Sequence, residues 1–351
     1  MKTTLATALL ATGLNLLTPA AGLAETGDQA LLKQARQLFK PLPDNMATQE
    51  NPISPARVEL GRKLFFDPRI SVDGTVSCAR CHLPQLYGTD GLRKAIGNHG
   101  KANPRNSPTV LNAALQGAIA AHWRGDRKSV EDQAVQALVG PPSFGLAKYE
   151  DAIAKLKAIP GYLPLFKAAF PRDPSPFTQD NWGTAIGAYE RTLVTPAPFD
   201  AYLKGNTRAL SPTAQAGLRE FISVGCASCH NGTGVGGTMY QKFGRFEDYW
   251  KLTGSKEPDK GRFDVTKNAA DLYVFKVPIL RNVVMTPPYF HDGSVTELPD
   301  AIRIMARAQL GKTLSDTQVK QIVAFLESLT GKLPENFQTV PVLPTSAFQA
   351  P

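Results

Sequence analysis

Two stretches of this sequence have the residue types and spacing to do chemistry. Cys78-Ala79-Arg80-Cys81-His82 and Cys226-Ala227-Ser228-Cys229-His230 both read Cys-x-x-Cys-His, the pattern that attaches a haem through two thioethers. The spacer matches the separation of the haem vinyl groups, and the adjoining histidine is placed to ligate the iron from one face. A thioredoxin-type redox pair does not require that histidine, and a Cys/His zinc site usually brings a second local pair. The two copies use all 4 cysteines, so none is left for a disulfide. Two covalently bound haem c groups are the expected cofactors, with Cys78, Cys81, Cys226 and Cys229 as attachment points and His82 and His230 as iron ligands.

Each iron needs a domain folded around it, and 351 residues are comfortable for two such domains. The 28 prolines and 29 glycines predict short helices joined by long connections. The fold class expected is mainly α, with two haem domains and long irregular loops. Residues 1–24 read as a signal peptide, with Lys2 before an apolar core from Leu5 to Leu17 and small residues ending at Ala24. No later apolar run is long enough to span a bilayer. Export together with covalent haem attachment points to the periplasm. The formal charge of +9 becomes +8 without the leader and suits either a generally basic surface or a face for an acidic redox partner. No nucleic-acid module is present in the sequence.

Periodicity predicts helices over 28–42, from Ser54-Pro55 to Asp67, over 109–116, from Ser129 through Gln133, over 149–159, and from Thr178 to Val194. The Thr195-Pro196-Ala197-Pro198 run marks a boundary, giving domains at 25–196 and 197–333. Ser211-Pro212 then repeats Ser54-Pro55, again starting a helix that feeds a haem motif. Later helices are expected from about Pro299, carrying Met305, and from Ser315 to Gly331, followed by an extended tail over 334–351.

Six ordered blocks resemble one family. They are the two haem motifs, Pro104 to Asn112, His122 to Gly125, Phe275 to Asn282 and Pro288 to Gly293. Together they are similar to the bacterial dihaem cytochrome c peroxidases, a group that includes the MauG-type enzymes. The resemblance implies two cytochrome c-like domains, a peroxide-reducing haem in the first and an electron-receiving haem in the second. Hydrogen peroxide would be the oxidant, and a small soluble cytochrome c or cupredoxin the electron donor. Members are often homodimers. The resemblance places Trp123 between the haems and makes Met305 the second ligand of the electron-receiving haem. A thioether keeps that potential high. Met285 matches no ligand position.

By the same matching, Gln133 is the distal glutamine that serves peroxide cleavage. His99 resembles the distal histidine that caps the first haem at rest, although the block count puts Asn98 in that slot. Asn106, Thr286 and Pro288 correspond to a calcium site between the domains. His291 is expected to hydrogen-bond near a haem, and His122 to be structural. One departure concerns the acid: Gly140-Pro141-Pro142-Ser143-Phe144-Gly145-Leu146-Ala147 contains no glutamate where the family carries one. Glu150 is the nearest, at a helix start. Two further readings follow, a dihaem electron carrier or sensor without turnover, and a MauG-like oxidase of a partner protein, a branch with tyrosine where Met305 stands.

Overall fold

The computed structural model describes residues 27–119 and 121–345. The leader at 1–24 and the end of the tail at 346–351 lie outside them. Up to the proline-rich crossing the helices are α1 (Gly27–Leu38), α2 (Pro55–Phe66), α3 (Cys78–Cys81), α4 (Val130–Val139), α5 (Tyr149–Lys157), α6 (Tyr162–Ala169) and α7 (Gln179–Glu190). Beyond it come α8 (Pro198–Leu203), α9 (Pro212–Val224), α10 (Tyr249–Thr253), α11 (Phe263–Thr266), α12 (Leu298–Leu310), α13 (Asp316–Glu327) and α14 (Glu335–Gln338). The described sheet is a single antiparallel pair, β1 (Tyr240–Lys242) with β2 (Val274–Lys276). The fold is mainly helical.

The sequence starts its helices with side-chain caps. Ser54, Ser129, Thr178, Ser211 and Ser315 each accept a hydrogen bond from the backbone N–H three residues on, satisfying donors that a first turn leaves open. Helix α6 was not foreseen, because Pro164 interrupts its pattern. Proline is tolerated there because it sits in the first turn, where no intrahelical N–H is needed. The expected α-helix at 109–116 is instead irregular chain followed by a 3₁₀ segment, Ala113–Ile119.

Two helix crossings build the two lobes. In the first, α2 lies on α7 at Gly61, where a Cβ would fall 1.8 Å from the Ala185 carbonyl oxygen and 3.0 Å from Tyr189 Cβ. In the second, α9 lies on α13 at Gly217, where a Cβ would fall 1.8 Å from the Gln321 oxygen and 3.0 Å from Phe325 Cβ. No side chain fits at either glycine without separating the helices.

Leu60, Leu64, Phe65, Leu156, Trp182 and Ile186 belong to the first core, and Leu218, Phe221, Val319, Ile322 and Phe325 to the second. The ends of the chain depart from the division at 196 and 333. Leu31, Leu32 and Ala35 of α1 are buried in the second core, and Phe337 of α14 is buried in the first. Beyond α14 the tail runs across the first lobe, where Arg69 holds its Pro344 carbonyl at 2.9 Å. A buried polar knot ties the lobes at the crossing. The Thr195 hydroxyl accepts from Asn112 Nδ2 at 2.8 Å and Asn282 Nδ2 at 2.9 Å, while Asn282 Oδ1 accepts from the Gly331 N–H at 3.0 Å.

Candidate functional site

The first Cys-x-x-Cys-His motif forms the single turn α3, and Ser107 Oγ closes it by donating to the Cys81 carbonyl at 3.0 Å. His82 Nδ1 lies 3.0 Å from the Gly88 carbonyl, so this nitrogen carries the proton and Nε2 keeps its lone pair. Burial lowers the His82 pKa to about 4, with the Gly88 contact opposing part of that effect. The imidazole is neutral at pH 7 and suited to bind iron.

The second motif is a 3₁₀ turn, Cys226–Ser228, entered through Gly225 in the left-handed region. His230 is likewise pushed to about 4 by burial. Its Nδ1 is buried without a hydrogen bond of good geometry, although the Pro278 carbonyl faces the ring and offsets part of the burial effect. Gly236, at φ +116°, makes room here, since a Cβ would stand 2.9 Å from His230 Nδ1 and 2.5 Å from the Pro278 oxygen.

The thiols separate the cofactor readings. Burial raises Cys78 well above the usual thiol range and Cys81 and Cys226 to about 11, the opposite of an exchange-active redox pair. All four cysteines are free and half-buried. Among the described residues no cluster of three or more His, Cys, Asp or Glu side chains gathers to hold a metal. Free thiol pairs, each followed by a neutral imidazole, fit covalently bound haem.

Trp123 joins the lobes. Its indole N–H donates to the Asn106 carbonyl at 2.9 Å, and its own carbonyl accepts from the Lys276 N–H on β2 at 2.8 Å. The ring packs on the cluster of Phe243, Tyr249, Phe275 and Ala308, against which Met305 of α12 also packs. Met285 is 41% exposed, outside this cluster. His291 is buried, stacked on Phe275 at 4.2 Å and edge-on to Trp123 at 6.3 Å. Burial holds it neutral. His122 Nδ1 stands 3.3 Å from Asp126, which Arg124 and Arg127 also hold. That is a structural cluster in the turn that presents Trp123.

Gln133 sits half-buried on α4. The structure does not enclose His99. Its side chain is 59% exposed, its N–H donates to Asp73 Oδ2 at 2.8 Å, and its ring Nδ1 is 3.8 Å from the same oxygen. The buried member of the pair is Asn98, whose Nδ2 donates to the Pro141 and Ser143 carbonyls at 2.6 and 2.8 Å. In this arrangement Asp73 holds the loop histidine, and Asn98 fills the enclosed slot. Glu150 is exposed at the start of α5, where with Tyr149, Ile153 and Phe177 it lines an open surface cleft. Asn106 Nδ2 donates to Leu92 O at 2.9 Å and its N–H to His291 O at 2.8 Å, which brings it to the segment carrying Thr286 and Pro288. These three residues present amide, hydroxyl and carbonyl oxygens rather than carboxylates.

Two of the buried ionisable groups that were not singled out in the sequence are shifted to about 8. Lys276 is 6% exposed, and burial alone lowers its pKa to about 8. Glu190 at the end of α7 is 7% exposed, and burial, followed by the nearby Glu131 charge, raises it to about 8.

Comparison with known proteins agrees with this geometry. A family profile described as di-haem cytochrome c peroxidase matches residues 55–208. The chain is 44% identical to a cytochrome c551 peroxidase of Pseudomonas aeruginosa, over 98% of this chain and 97% of the other. It is 42% identical to a cytochrome c551 peroxidase of Nitrosomonas europaea, over 84% and 85% of the two chains. Among solved structures, a MauG-like protein associated with microbial copper homeostasis superposes with a TM-score of 0.75 at 27% identity, covering 86% of this chain and 97% of that one. The chain belongs to the dihaem cytochrome c peroxidase family. It is an oxidoreductase acting on peroxide, and membership implies two haem c cofactors and a small redox donor.

Proposed function

We propose that this protein works in the periplasm, receives electrons from a small soluble cytochrome c or cupredoxin at its second lobe, and passes them to the first, where hydrogen peroxide becomes water. Bound haem c would supply the electron storage and the O–O cleavage chemistry. The observation that carries this direction is the seat of Trp123, hydrogen-bonded to Asn106 from one lobe and to Lys276 from the other, on the cluster that also holds Met305.

The neutral imidazoles of His82 and His230 are the iron ligands on the attachment side. Met305 would be the second ligand in the second lobe, where a thioether would keep the potential high, so that this lobe takes electrons readily from the donor and holds them until peroxide has oxidised the first. The buried Lys276 ammonium, for which no carboxylate partner is found among the described residues, would pair with a haem propionate. Gln133 orients peroxide by hydrogen bonding in the first pocket. Asn106, Thr286 and Pro288 would supply oxygens to a calcium ion that stiffens the junction around Trp123.

The test is rapid mixing of half-reduced holoprotein with hydrogen peroxide. Fast reoxidation with water as product supports the proposal, and a first haem that stays six-coordinate and unreactive overturns it. A dihaem electron carrier or sensor is the second reading, favoured by the absence of an acid from 140–147. His99→Gly separates the two. A carrier capped by His99 gains peroxide reactivity, whereas a gated peroxidase loses only its activation step.

A further inference from the structure

Among the described residues a single aromatic ring is exposed, that of Phe246, at 63%. One exposed apolar side chain is ordinary, and this one is set apart by where it lies. The ring rests on the end of α12, where a Cβ at Gly311 would fall 2.9 Å from Phe246 Cδ1. Its N–H donates to the Ala308 carbonyl at 2.9 Å. Beside it, Lys312 Nζ donates to the Val224 carbonyl at 2.7 Å, and Gly225 stands against Leu310. Val224 and Gly225 lead directly into Cys226, so Phe246 shares a surface with the second attachment turn, whose Ser228 is also exposed. On the inner side Phe243, three residues earlier, belongs to the cluster against which Met305 and Trp123 pack.

The uncompensated charges around this ring are all positive. Lys242, Arg245 and Lys312 are exposed and have no carboxylate partner among the described residues. The two acids of the same segment are already neutralised: Glu247 accepts from Arg307 at 2.6 and 3.2 Å, and Asp248 lies 2.9 Å from Lys251. The segment is also held in place. Gln309 Oε1 accepts from the Gly244 N–H at 2.8 Å, and Gln309 Nε2 donates to the Lys242 carbonyl at 3.0 Å. A fixed aromatic anchor inside a charged rim is the make-up of a protein-docking patch. A second copy of this chain meeting it patch to patch would oppose the same cations, which disfavours that pairing. An acidic surface complements the rim.

We propose that Phe246, Lys242, Arg245 and Lys312 form the docking surface for the electron donor, and that the donor is a small redox protein with an acidic contact face. The donor lays an apolar patch on Phe246 while its carboxylates meet the cations, which sets its own redox centre against the Cys226 turn and the Met305 cluster. One electron passes to the second lobe in each encounter and the donor leaves oxidised, with no proton or group transferred. Long-range attraction sets the encounter rate, and Phe246 holds the complex. The inference rests on the proposed function in taking the second lobe as the point of electron entry. It gives part of the chain's positive charge a local use.

The test uses the holoprotein and two monohaem cytochromes c of similar size, one of net negative and one of net positive charge. Binding is measured by calorimetry with both partners oxidised, so that no electron moves. Stopped flow then follows reduction of the second haem by each reduced cytochrome as salt is raised. The acidic cytochrome should bind more tightly and react faster, with a rate that falls about tenfold or more from low to high ionic strength. Phe246→Ala should weaken its binding about tenfold, and the double variant Lys242→Glu with Arg245→Glu should slow association and reverse the preference between the two cytochromes. Reduction by a neutral hydroquinone, too small to need the face, should match wild type in both variants and so separates loss of docking from loss of fold. The proposal is overturned if both variants bind the acidic cytochrome as wild type does, or if wild type prefers the basic one. It is equally overturned if sedimentation shows the face buried between two copies that Phe246→Ala separates. The binding readout involves neither electron transfer nor peroxide, so failure of turnover leaves it standing, and its failure leaves peroxide reduction standing.

Discussion

In the first lobe α2 crosses α7 at Gly61, and in the second α9 crosses α13 at Gly217, with the same carbonyl contact and the same aromatic one turn on. What differs is the polar furniture. Helix α2 ends at Asp67, fully buried and held by Arg69 Nε at 2.8 Å and Tyr162 Oη at 2.7 Å. Helix α9 ends at Gly225 and runs straight into Cys226. His82 holds a close carbonyl through Nδ1, whereas His230 faces the Pro278 carbonyl without a well-formed hydrogen bond. The residue after that aromatic is Leu326 in the second lobe and Glu190 in the first, both buried. One packing solution therefore serves two chemistries, because the glycine crossings fix the frame and leave the neighbouring positions free to diverge.

Four experiments would break or sharpen this contrast. The largest effect is expected where a charge is left alone in the second lobe. Arg281 meets Asp200 at 2.9 Å through both Nη atoms, and Arg281→Met should cost about 4 kcal/mol in chemical denaturation. Arg191→Met in the first lobe should cost less, because Glu131 keeps some contact with solvent. Equal losses would mean that the two pairs are equally desolvated.

Gly61→Ala and Gly217→Ala each force a helix pair apart and should lower stability by about 3 kcal/mol. The lobe that melts first, followed through its own haem absorption, should be the one carrying the substitution. Matching penalties would confirm that the frame is shared.

Asp67→Asn acts on the first lobe alone, removing charge-assisted hydrogen bonds worth about 2 kcal/mol. Burial would raise the Asp67 pKa, but the Arg69 and Tyr162 hydrogen bonds outweigh it and hold the net value below the ordinary one. Its stabilisation is complete above the usual carboxylate range and is lost as pH falls through the lowered folded value. Melting curves taken on acidification should thus fall less steeply in the variant than in wild type.

The smallest effect on stability is expected for Trp123→Phe. It gives up one hydrogen bond to Asn106, about 1 kcal/mol, while slowing electron transfer between lobes in flash-reduction experiments. Unchanged transfer would reduce Trp123 to packing.

The helix starts were legible because Ser54, Ser129, Thr178, Ser211 and Ser315 declare themselves locally. The haem motifs were legible because five adjacent residues hold the whole attachment chemistry. Trp123 and Met305 needed the wider resemblance to be found, and the structure gives them a common cluster. For His99, sequence shows that a histidine is near a haem motif but not which way a loop turns, and Asn98 makes the inward contacts. Glu190 carries no local signal. Only laying Tyr189-Glu190 over Phe325-Leu326 distinguishes it from an ordinary helical glutamate, and that register depends on knowing which glycines touch which helices. The placement of α1 and α14 was equally hidden, since an amphipathic stripe records that a partner exists without saying which one.

The exchange of chain ends has a bearing on biosynthesis. The segment synthesised first completes the lobe synthesised last, and the closing segment of the chain seals the lobe begun earlier. Neither core is complete until a segment from beyond the crossing has docked on it, so the closing of each lobe waits on the folding of the other.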